Sequence, residues 1–132
     1  MSDRVLPIVA ILSIVSVEYG GWALLTFLTG RGGLTAAQLR FFRAGHAHAG
    51  VLLILSLVYF LYLPRADWSH GAEWAAGIVL LTGALAQSGG FFVHLGLGAP
   101  ETPSVGTKLT RAGGLLIAAA LVALAVGLIR TA

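Results

Sequence analysis

Apolar residues fall in four long runs separated by short polar breaks: Val5–Thr29, Gln38–Leu63, Ala72–Gly98 and Thr107–Ile129. Each is close to the ~20 residues that carry an α-helix across ~30 Å of hydrocarbon at 1.5 Å per residue. The pattern predicts an all-α integral membrane protein, a four-helix transmembrane bundle running up-down-up-down as a single domain over residues 1–132. The first run is too long for the apolar stretch of a cleaved signal and no small-residue cleavage site ends it, so it is expected to remain in the mature protein. Conventional breakers fill the gaps: Gly30-Arg31-Gly32-Gly33, then Pro64-Arg65-Ala66-Asp67, then Gly98-Ala99-Pro100-Glu101-Thr102-Pro103. Thr35 is the expected N-cap of the second helix, which puts Arg40 and Arg43 near lipid phosphates.

Composition supports a lipid solvent. Hydrophobic residues make up 58% of the chain and charged residues only 10%, against roughly 25% charged in an ordinary soluble domain. The absence of Cys excludes disulfides, thiolate metal ligands and iron–sulfur clusters. The basic residues stand singly near helix ends, where they anchor membrane helices, so the bilayer rather than nucleic acid is the expected partner. Arg31, Arg40, Arg43, Lys108 and Arg111 belong to one side, and Arg4, Arg65 and Arg130 to the other. That bias places the first and third connections in the cytoplasm and both termini outside, in a multi-pass protein of the cell membrane.

Against this background the polar residues inside the runs carry the chemistry. Glu18 lies near the middle of the first helix, where a carboxylate costs at least ~2.5 kcal/mol to insert. It is expected to be neutral, paired, bound to a cation or facing water, with Tyr19 and Trp22 in the same half of the membrane. The second helix holds His46 and His48 among Ala44, Gly45, Ala47, Ala49 and Gly50, small neighbours that leave space for a bulky group. At about 100° per residue the two imidazoles project about 200° apart, so they suit two sites on opposite faces better than one small ion. In the third helix Gly83, Gln87, Gly90 and His94 form a polar stripe beside Ser88, Phe91 and Phe92. Glycines that only permit close packing, with Gln87 bonded across, are the plainer explanation of that stripe. By depth, Glu18, His46, His48 and Gln87 lie near one level and His94 about 10–13 Å beyond Gln87, so one pocket or adjacent pockets are expected, with Arg43 in support. The fourth helix, with Gly113 and Gly114, reads as a structural lid.

The stretch Arg43-Ala44-Gly45-His46-Ala47-His48-Ala49-Gly50-Val51 resembles the Gly-His-x-His-x-Gly helices of haem–copper oxidase catalytic subunits and of small His-x-His membrane proteins. The resemblance covers about nine residues. It implies that His46 and His48 ligate haem on opposite faces of one helix. The leading expectation is therefore a protein that binds haem b or a transition metal ion through His46, His48, His94 or Glu18. It would exchange electrons with a membrane quinone or a redox partner complex, and a homo-oligomer would supply a missing axial ligand. The competing expectations are an oligomeric proton-coupled transporter or channel built on Glu18 and the histidines, and an accessory subunit of a larger membrane complex. An enzyme acting on a lipophilic substrate ranks last, because no nucleophile accompanies the acid–base candidates.

Overall fold

The computed structural model describes residues 4–30, 33–99 and 102–132. Arg31 of the first connection and Pro100 and Glu101 of the third lie outside the described residues. Four helices follow one another: α1 Val5–Leu28, α2 Ala36–Tyr62, α3 His70–Leu97 and α4 Val105–Arg130. All four are long and apolar enough to cross a membrane. A 3-10 turn, Leu63–Ala66, prolongs α2 and ends at Asp67, whose left-handed φ of 52° is a conformation that Asp tolerates.

Hydrogen-bonding side chains in the polar breaks set the helix starts, which is why three of them begin two residues before the expected apolar run. Thr35 accepts the Gln38 N–H at 3.2 Å while Gln38 Oε1 accepts the Thr35 N–H at 3.0 Å, closing a capping box at α2. Ser104 and Thr107 do the same at α4, and Ser69 accepts the Ala72 N–H at 3.3 Å at α3.

Neighbouring helices run antiparallel. Gly20 and Gly21 of α1 face His46 of α2 while Val17 faces Gly50; Gly45 of α2 faces Phe91 and Phe92 of α3 while Phe60 faces Gly77. The closest approach is between α3 and α4. Gly83 and Gly90 lie against Gly113 and Gly106, and a Cβ on any of the four would run into the opposing backbone. Such backbone contact gives helices a van der Waals attraction that does not need water to drive it. The close packing in the plainer reading of the α3 glycines is thus observed at Gly83 and Gly90.

The core gathers Leu53, Tyr59 and Phe60 of α2, Leu80, Leu81 and Ala84 of α3, and Ile117, Ala120 and Leu124 of α4. Within it the Tyr59 hydroxyl, 2% exposed, donates to the Ala120 carbonyl at 3.3 Å, drawing α2 toward α4 at the end of the molecule that holds the 3-10 turn. α4 packs on α3 and that turn rather than over the whole bundle, so it is a flank and not a lid. α1 lies against α2, and among its residues only Ala10 is fully buried.

Candidate functional site

Gly45 decides where the imidazoles go. Phe91 and Phe92 straddle it so closely that a Cβ there would lie 2.9 Å from Phe92 Cε2 and 3.0 Å from Phe91 Cβ. With Gly45 pressed on α3, the residues on either side of it diverge. His46 turns to α1, where its ring covers Gly20 and Gly21; Cβ atoms at those positions would sit 3.3 Å from Nδ1 and 3.4 Å from Cε1. His48 turns the other way and packs on Phe91, ring centroids 4.9 Å apart. The aromatic pairs divide likewise. Phe42 and Phe92 join Phe27 of α1, at 5.5 Å and 5.4 Å between successive rings, while Phe41 and Phe91 stay with His48 and His94.

The His48 Nδ1 lies 2.8 Å from the Ala44 carbonyl oxygen. A carbonyl only accepts, so Nδ1 carries a proton, and in the neutral form of the ring the lone pair is on Nε2. This is the orienting bond that metal-ligating histidines make with their other nitrogen.

His94 is 3% exposed, and its Nδ1 stands 2.7 Å from Ser104 Oγ, with the Phe41 ring centroid 4.1 Å away. Ser104 Oγ already accepts the Thr107 N–H, and its own hydrogen has Nδ1 as its one acceptor among the described residues. The tautomer in which Ser104 donates to Nδ1 and His94 carries its proton on Nε2 pairs both the Ser104 hydroxyl and the Thr107 N–H within the described residues. The same serine caps α4, so His94 fastens the last turn of α3 to the first turn of α4.

The remaining expected residues disperse. α1 meets α2 through Ala10, Ile14, Val17, Gly20 and Gly21, which turns Glu18 outward. Glu18 lies on an exposed face between Val15 and Trp22, each 64% exposed, and Tyr19 and Trp22 pack on one another at 5.7 Å rather than on a histidine. Gln87 faces α4, its Oε1 3.5 Å from where a Gly114 Cβ would be. Arg43 is exposed. Ser88 donates to its own helix at the Ala84 carbonyl, 2.7 Å away, inside a cleft between α1, α2 and α3 that also holds Ser13 and Ser16. Those two serines likewise donate to α1 carbonyls, at 2.7 Å and 2.6 Å, so the cleft offers a ligand no free hydroxyl donor.

Among the described residues no three His, Asp or Glu side chains converge where a metal ion could sit. Of the expected one pocket or adjacent pockets for Glu18, His46, His48, Gln87 and His94, the single pocket is not formed: α1 rotation turns Glu18 away, Gln87 faces α4, Gly45 packs between the directions of His46 and His48, and the α4 cap holds His94. Sequence reasoning passed over Phe41, Ser104, Thr107 and Thr110, which surround His94. The signal was the Ser104-Val105-Gly106-Thr107 capping box, with Thr110 one turn on. No protein family model matches the chain, and no curated protein or solved structure matches it.

Proposed function

We propose that this is a multi-pass protein of the cell membrane that binds haem b through Nε2 of His48 and serves in electron transfer. The hydrogen bond from His48 Nδ1 to the Ala44 carbonyl carries the proposal, because it turns an intramembrane imidazole into a preoriented ligand. The donor set favours haem over a bare ion. A transition ion held by protein alone needs three or four converging side chains, whereas the porphyrin supplies four nitrogens and asks one or two of the protein. Haem, when bound, supplies reversible one-electron chemistry, exchanged here with a membrane quinone or a redox partner complex.

In this reading Ala44 fixes the tautomer of His48 and Phe91 holds its ring. One chain presents one such imidazole, and His48 of a second copy in a homo-oligomer would provide a second. His46, in the α1–α2 interface, is the second candidate ligand on the opposite face. His94 works as a hydrogen-bonding clasp. The excess of basic residues flanking the first and third connections places these in the cytoplasm and the termini outside.

The test is an ultraviolet–visible spectrum with metal analysis of the detergent-purified protein. A stoichiometric haem band lost in His48→Ala and kept in His94→Gln is the expected result. A colourless, iron-free, fully helical wild type purified from haem-supplemented cells overturns the proposal. The exposed Glu18–Tyr19–Trp22 face of α1 favours a second reading, an accessory subunit docked through α1 on a larger membrane complex. Recovery of a stoichiometric partner that is lost in Trp22→Ala would support it. A proton path through Glu18 and the histidines draws less support, since these side chains lie on different faces.

A further inference from the structure

At the end of the molecule away from Tyr59, α2 and α4 stand apart and leave an open cleft of about 210 Å³ floored by α3. Phe41 and Phe91 give it apolar walls, and His94, Thr107, Thr110 and Arg111 give it polar groups. The Thr107 hydroxyl is spent on the Ser104 carbonyl at 2.8 Å. His94 Nε2–H, the Thr110 hydroxyl and the Arg111 guanidinium have no partner among the described residues. No buried side-chain nitrogen or oxygen in the described structure lacks a partner, so Nε2 of this otherwise buried histidine is not sealed in the core and opens on the cleft it lines.

We infer that this cleft binds an anionic amphiphile, its phosphate or carboxylate headgroup held by Arg111, His94 Nε2–H and Thr110, and its chain running along Phe41 and Phe91. The three polar groups are donors and one is a fixed cation, and among the described residues no acidic side chain lines the space. A neutral ligand would leave the guanidinium without a counter-charge. In the first turn of α4 the Thr107 and Lys108 N–H groups are already bonded to Ser104, and what that turn adds nearby is the positive end of the helix dipole. Lys108 and Arg43, exposed at the same end, add a field that concentrates anionic lipid. The site is separate from the His48 lone pair and does not depend on haem.

Titration calorimetry of the full-length protein in a zwitterionic detergent tests it, with dioctanoyl phosphatidylglycerol, dioctanoyl phosphatidylcholine and decanoate as probes. Saturable binding of one phosphatidylglycerol or decanoate per protomer is expected, about tenfold tighter than phosphatidylcholine. Arg111→Gln should weaken it about tenfold and Thr110→Val by less, with helicity unchanged, while Arg130→Gln at the opposite end should leave it intact. Preference for phosphatidylglycerol identifies a lipid phosphate as the headgroup and preference for decanoate a fatty-acid carboxylate; either supports the inference. Equal affinity for phosphatidylcholine, or binding indifferent to both Arg111→Gln and Thr110→Val, overturns it.

Discussion

His48 and His94 lie on the Phe41–Phe91 side of α2 and α3 with their protons on opposite nitrogens. His48 donates from Nδ1 to Ala44, and His94 accepts at Nδ1 from Ser104. Two histidines that a sequence would treat alike are thus different reagents, a lone-pair donor and an N–H donor. Nitrogen-15 spectra of the histidine-labelled, cofactor-free protein at neutral pH should show the Nδ1–H form for His48 and the Nε2–H form for His94. Ser104→Ala should disturb only His94 and cost about 1–2 kcal/mol of stability, since it removes a helix cap together with the partner of a buried ring nitrogen. An unchanged His94 signal in that variant would refute the assignment.

Much of this was legible in advance. The four helices followed from run length alone, and the Thr35 cap from residue type and position. The opposed directions of His46 and His48 followed from a 100° step. Helix rotation was not legible. α1 is apolar nearly all round, so nothing in its pattern said that Val17 rather than Glu18 would meet α2. The contacts that settle it come from Gly20 and Gly21 receiving the His46 ring. The role of His94 was hidden for another reason: its partner Ser104 is a cap in the next connection, ten residues on.

Gly45→Ala should separate α2 from α3. The added methyl meets Phe91 at its Cβ, which cannot swing away, and overpacking of this kind costs about 1–3 kcal/mol. Because the same contact sends His46 and His48 to opposite sides, the proposal that His48 binds haem predicts a weaker Soret band in this variant. Denaturant unfolding and the Soret absorbance can be read on one preparation. Full stability with full haem content would show that Gly45 does not set the rotation.

The α3–α4 contact makes a graded prediction from three glycines. Gly113→Ala places a Cβ against the Gln87 backbone and the Gly83 carbonyl, where neither can yield, and should destabilise by at least 1–3 kcal/mol. At Gly114 the nearest neighbour is the flexible end of Gln87 at 3.5 Å, and Gly114→Ala should be close to neutral. Gly89 has nothing within 4 Å, so Gly89→Ala should gain about 0.5–1 kcal/mol from helix propensity alone. Thermal unfolding in one detergent orders the three, and a Gly113→Ala protein as stable as Gly89→Ala would contradict the close helix contact.

Glu18 separates a structural demand from a functional one. On the exposed face of α1 it has no partner among the described residues, and a carboxyl group at that depth costs at least ~2.5 kcal/mol against lipid. If the isolated chain is the working form, Glu18→Leu should unfold later than wild type, and on the proposal that His48 binds haem it should keep the wild-type Soret band, because His48 lies on the far side of α2. If α1 docks on another copy or a partner, the same substitution should instead dissociate that assembly while leaving the single chain helical. Size-exclusion chromatography with light scattering, run beside the unfolding curve, distinguishes the two. Loss of haem from a Glu18→Leu protein that stays folded and keeps its assembly state would place Glu18 beside the cofactor and contradict the outward rotation of α1.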